Sequence, residues 1–166
     1  MTLPQLAFLG ALVVLLAVIV VFAVVVVATA ARRTGDPTGP GGALRRLSRA
    51  PRDRIELGRW AFWAHRVTGV AIFAFLALHL VDVSLYAVSA ELYDEVHVLY
   101  GTLGLRLFES GLLVAILFHA LNGLRLLAMD LVEMDPTVAE RLLIGVVGLT
   151  VALGTAGSAI ILAPVL

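Results

Sequence analysis

Two stretches of this chain place reactive side chains inside runs that otherwise hold only hydrocarbon. In 118–130 the order is Phe118-His119-Ala120-Leu121-Asn122-Gly123, and His119, Asn122 and Gly123 stand at i, i+3 and i+4. On a helix those three share one face. A neutral imidazole in hydrocarbon needs a partner, because an unpaired polar group there costs several kcal/mol. A haem iron is one such partner, and a glycine beside the histidine lets a bulky flat group approach the backbone. In the preceding span His65-Arg66-Val67-Thr68-Gly69 is followed by His79, with Asp82 at i+3 from it. An acid inside a span is a functional candidate by default. Asp82 suits an acceptor that orients the His79 ring, or a group that exchanges protons at the outer face. The chain has no Cys, which excludes disulfides and thiolate-held clusters, so a redox centre held here must use His.

These residues need elements to hold them, and the composition says which kind. With 61% hydrophobic residues and a mean hydropathy of +1.03, a soluble domain is excluded. Four segments each reach the roughly 20 apolar residues that cross a bilayer. The fold expected is an all-α integral membrane bundle of four transmembrane helices. The net charge is zero, and no nucleic-acid footprint is present.

The first span, 6–31, is almost pure Val, Leu and Ala. It reads as a retained helix: it lacks a basic leader, and its apolar run exceeds the ~7–15 residues of a signal peptide. Residues 32–59 are polar, broken by Gly35-Asp36-Pro37 and Gly39-Pro40-Gly41-Gly42, and rich in Arg. By the positive-inside rule this linker is cytoplasmic, which leaves both termini outside. The second span, 60–89, opens on Trp60 and Trp63, residues that suit an interfacial belt.

Residues 90–105 read as an acidic outer loop with His97 between Tyr93 and Tyr100. The third span, 103–130, carries Glu109 near its outer end, with Arg106 at i−3 as an available ion-pair partner. The fourth, 140–162, reads as scaffold, with Gly154 and Gly157 on a small-residue packing surface. The chain thus divides into an extra N-terminal helix (1–31), a basic linker (32–59) and a three-helix unit (60–166). Taking His65 at the cytoplasmic boundary puts His79 about 21 Å in, and His119 lies about 16 Å from Asp130 at that boundary. The stagger of about 5 Å favours two iron sites over two ligands on one iron.

The two signatures, His65-Arg66-Val67-Thr68-Gly69 and His119-x-x-x-Gly123-x-Arg125 ending in Asp130, occur in order on adjacent spans. Together with Ile72-Phe73-Ala74-Phe75-Leu76-x-x-His79, they resemble the cytochrome b membrane-anchor subunit of succinate dehydrogenase, above all its actinobacterial branch. The resemblance covers about 60–162. It implies that His119 is the haem b ligand nearer the iron–sulfur subunit, and that His79 ligates a second, outer haem. Each iron would take its other axial His from a companion membrane subunit. His65 and Arg66 match the pair near the inner quinone pocket and the haem propionates, a role that suits the forked guanidinium. His97 reads as a solvated loop residue; its functional alternative is a wall of an outer quinone pocket with Tyr93 or Tyr100.

Two positions depart from the family pattern. Phe62 stands where a quinone-binding Ser is frequent, and Leu126 where a second His is common; both remove polar contacts from an inner quinone site. The resemblance implies a subunit of succinate dehydrogenase that binds no dicarboxylate itself. It would anchor a flavoprotein and an iron–sulfur subunit on the cytoplasmic face of the cell membrane and pass electrons to menaquinone. A fumarate reductase anchor would run the same path in reverse. A haem-free scaffold, in which the imidazoles only stitch helices together, is the alternative of a different class.

Overall fold

The protein, seen here as a computed structural model, is described over residues 1–33 and 54–165. Within them run α1 (Leu3–Arg33), α2 (Arg54–Val88), the short α3 (Ala90–His97) with a 3-10 turn at Val98–Gly101, α4 (Leu103–Leu131) and α5 (Pro136–Leu162). Four of these helices are long and apolar enough to cross a membrane, as the hydropathy pattern implies. The fold is an all-α membrane bundle with no strand among the described residues. Most of the basic linker, residues 34–53, lies outside the described residues.

Side-chain contacts fix the topology. Gln5, at the start of α1, donates to the Glu95 carbonyl just past the end of α2, at 3.1 Å. Arg106, at the start of α4, donates to the Ile161 carbonyl at the end of α5, at 2.7 Å. Neighbouring long helices are therefore antiparallel. One end of the bundle carries the approach to the basic segment and the α4–α5 turn; the other carries α3 and both termini. Arg106 thus reaches a carbonyl of α5 rather than pairing with Glu109.

Local chemistry explains the breaks between helices. Ser89 is extended and caps α3 by accepting from the Leu92 amide at 3.2 Å, while its hydroxyl donates to Glu91 at 2.7 Å. That hydrogen bond holds the exposed Glu91 carboxyl below its usual range. Asp135 caps α5, accepting from the Thr137 amide at 2.7 Å, with Pro136 as the first helical residue. The expected loop at 90–105 is a helix and a tight turn because Val96 finds a core: it is 1% exposed, packed with Phe8, Leu12, Leu15 and Leu105.

The α4–α5 seam depends on two glycines. A Cβ on Gly154 would stand 2.9 Å from Val114 Cγ2, and one on Gly157 would overlap Leu113 Cδ2. Backbone approach of this kind is how membrane helices associate without a hydrophobic driving force. Gly145 and Gly148 meet no neighbour and play no such part.

Candidate functional site

His65 and His119 meet between α2 and α4. Their rings stack with centroids 4.0 Å apart and planes 3° from parallel. The sequence reading put His65 at the membrane boundary; contact with His119 puts the two at one depth. The cause is the start of α2, which begins at Arg54 rather than Trp60. His65 is therefore eleven residues into its helix, about 16 Å, matching the distance from His119 to Asp130. His79 then lies about 21 Å from the His119 level along the bundle, not about 5 Å. Positive charge marks the side of the membrane; it does not mark the first helical residue.

The His119 ring is held by α2. Its Nδ1 lies 3.0 Å from the His65 carbonyl oxygen and 3.3 Å from Thr68 Oγ1. The Thr68 hydroxyl is itself 2.9 Å from the Ala64 carbonyl and 3.0 Å from that of His65. With Nδ1–H donating to this oxygen pair, the lone pair resides on Nε2. A Cβ on Gly69 would come 2.9 Å from His119 Cε1, so the ring lies on backbone that no other residue leaves bare. A Cβ on Gly123 would instead stand 3.4 Å from His65 Cε1, an ordinary contact. The glycine that accommodates His119 is Gly69, across the helix pair, rather than Gly123 on its own helix. Sequence reasoning left Thr68 and Gly69 without a role, although they stand at i+3 and i+4 from His65, the spacing that singled out Asn122 and Gly123.

Around this pair the bundle is apolar. Phe118 is buried against Ala61 and Leu143, with the Trp60 ring edge-on at 6.1 Å. Asn122 is 0% exposed, and among the described residues neither its amide oxygen nor its nitrogen has a hydrogen-bond partner; the same holds for the buried Nδ1 of His65. Arg66 lies on the outer surface of α2, its guanidinium carbon 4.3 Å above the Phe62 ring and 5.6 Å from the centre of Trp63. Phe62, in the place of the family's Ser, thus acts as a platform for the arginine. Arg125 turns toward α5 and donates from Nε to the Ala139 carbonyl at 3.0 Å.

At the other level His79 is exposed on α2 and stacks on Phe75 at 5.7 Å, with no hydrogen bond to its ring nitrogens among the described residues. Asp82 does not orient it. Asp82 is 3% exposed and accepts from the Tyr100 hydroxyl at 2.8 Å through Oδ2, while Oδ1 has no partner among the described residues. Burial first, then the Asp82 hydrogen bond and charge, pushes the Tyr100 phenol well above its usual range. His97 is exposed, its ring between those of Tyr93 and Tyr100 at 4.7 Å from each.

Among the described residues no three His, Asp or Glu side chains converge as a bare ion would require. A metal already held in a macrocycle asks less of the protein, an axial imidazole on either face.

Residues 45–157 match the family described as Succinate dehydrogenase/Fumarate reductase transmembrane subunit. The chain is 38% identical over 95 residues to the succinate dehydrogenase 2 membrane subunit SdhC of Mycobacterium tuberculosis, a match that covers 57% of this chain and 69% of that one. It is 37% identical over 78 residues to the succinate dehydrogenase hydrophobic membrane anchor subunit of Halobacterium salinarum, covering 46% and 60% respectively. Both signature segments, with the paired imidazoles between them, fall inside the matched region, and the chain belongs to the succinate dehydrogenase/fumarate reductase transmembrane subunit family.

Proposed function

We propose that this chain is the haem b-binding membrane anchor of a succinate:quinone oxidoreductase. In this reading it carries electrons from an iron–sulfur subunit toward menaquinone. The observation that carries the reading is the seat of His119. Its Nδ1 is fixed on the His65 carbonyl, its Nε2 retains the lone pair an iron needs, and Gly69 leaves room for the ring. These features fit an axial haem ligand. Bound haem would supply a one-electron carrier between the iron–sulfur subunit and quinone.

The chain's own residues would orient and shield that carrier. His119 would hold the haem through its free ring nitrogen, and Thr68 with the His65 carbonyl sets its tautomer. Arg66, spread over Phe62 and Trp63, presents donors for a propionate. His79, outward-facing and without a hydrogen-bond partner among the described residues, suits a second haem shared with a companion membrane subunit. The eight Arg between 32 and 59 favour a cytoplasmic position for that flank, where the flavoprotein and iron–sulfur subunits would dock. Succinate oxidation and fumarate reduction use the same path in opposite directions, and growth on succinate separates them.

The hydrogen bond from His119 also favours a second reading, a haem-free scaffold in which the imidazole only ties α4 to α2. A reduced-minus-oxidised optical spectrum of the purified complex decides. The haem reading expects a b-type signal that His119→Ala diminishes while the subunits still assemble, and that His79→Ala diminishes separately. A spectrum unchanged in both variants overturns it.

A further inference from the structure

We propose that Asp82, Tyr100 and His97 form a proton path joining the interior of the bundle to its surface at the end away from the basic segment. Asp82 is the buried proton-binding group of this path, and α1 forms part of its enclosure.

Asp82 shares the stripe of α2 that carries Leu78 at i−4 and Leu85 at i+3, both packed against the apolar cluster of Phe8, Leu12, Leu15, Val96 and Leu105. Its carboxyl is thus turned into the protein, 3% exposed. A buried carboxyl with a purely structural role is secured in one charge state by a cation or by two or three N–H donors. Asp82 has neither. It has one hydroxyl donor on Oδ2 and an enclosed Oδ1 with no partner among the described residues, so no set of fixed donors holds it in the charged form.

The single donor leads outward. Tyr100 is half-buried, and its ring stacks on the exposed His97, which stacks in turn on Tyr93. The other ionisable groups toward this pair are Glu109 from α4 and Tyr93 from α3, both felt by the Tyr100 hydroxyl. Arg106 is directed at the Ile161 carbonyl instead. From α1 only carbon approaches, Phe8 standing 5.8 Å from Tyr100, while Gln5 binds the Glu95 carbonyl.

In one transfer the Tyr100 O–H gives its proton to Asp82 Oδ2 as the phenol oxygen takes another from hydronium in the solvent at the His97 face, which is left as water; release is the reverse. One proton moves, no electrons move, and no free phenolate is needed. The elevated phenol of Tyr100 favours such a paired transfer over stepwise loss. The exposed ring of His97 marks the face at which Tyr100 meets solvent.

The proposal stands apart from haem ligation and is tested without it. Infrared difference spectra of the assembled complex in lipid, taken between low and high pH and again in D2O, read protonated carboxyl groups directly. A C=O band is expected that Asp82→Asn removes. Tyr100→Phe, which keeps the ring contacts with Phe8 and His97, is expected to retain the band at a shifted frequency and to slow its deuterium exchange at least about tenfold. His97→Ala is expected to slow exchange several-fold. A band spectrum identical in Asp82→Asn overturns the proposal, as does unaltered band and exchange in Tyr100→Phe. Should Asp82→Asn fail to assemble, the Tyr100→Phe comparison alone decides.

Discussion

The ring of His119 lies against the backbone of α2 at Gly69, so close that a methyl group there would stand 2.9 Å from its Cε1. On Gly123, one turn beyond His119 on α4, a methyl group would stand 3.4 Å from His65 Cε1, a distance that ordinary side chains tolerate. Two glycines in equivalent motif positions thus carry unequal demands. Gly69→Val should drive His119 off its hydrogen bond to the His65 carbonyl and cost about 1–3 kcal/mol, whereas Gly123→Ala should stay within about 1 kcal/mol. In the assembled complex the first should lose most of any b-type absorbance and the second should keep it. Equal loss in both variants would refute this account of the pair.

What the sequence made legible follows from which signals are local. Span number and helical class follow from unbroken apolar runs, and the motif spacing put His119, Asn122 and Gly123 on one face. Partners across helices are another matter. That His65 sits level with His119 depends on α2 beginning at Arg54, inside a charged segment whose composition resembles a linker. That Asp82 faces Tyr100 and not His79 depends on α3 and its turn folding back over the bundle end, which the acidic composition of 90–105 conceals. The paired spacing after His65 and after His119 was a usable hint, because it implies two small-residue faces that can meet.

The seam between α4 and α5 gives a prediction with an internal control. Gly154→Leu and Gly157→Leu would each push a side chain into Val114 or Leu113 and should cost about 1–3 kcal/mol by overpacking. Gly148→Leu, on open backbone, should change stability by no more than about 0.5 kcal/mol. Thermal unfolding of the detergent-solubilised protein compares the three. A Gly148 variant as unstable as the Gly154 variant would place the tight contact elsewhere.

Asn122 presents the opposite situation, a fully buried polar group with no hydrogen-bond partner among the described residues. Leu is close to Asn in size and removes a donor and an acceptor that are costly to leave unmade. Asn122→Leu should therefore stabilise the isolated chain, by about 1–3 kcal/mol. Denaturation of the separately purified subunit measures this. A loss of stability would mean that the amide is bonded in the folded protein.

Alkaline pH should act on the end of the bundle that holds Tyr100. Its phenol is raised in the folded protein, chiefly by burial and then by Asp82. For an acid whose folded value is raised, the unfolded chain releases its proton first. The stabilising contribution is therefore complete below about pH 10, the ordinary phenol value, and is lost as pH climbs from there toward the folded value. Unfolding followed between pH 8 and 12 should show stability falling above about pH 10. Tyr100→Phe should flatten the fall while leaving the rings of Phe8 and His97 in contact. A decline just as steep in that variant would mean that other groups, and not the Tyr100–Asp82 bond, govern the alkaline limit.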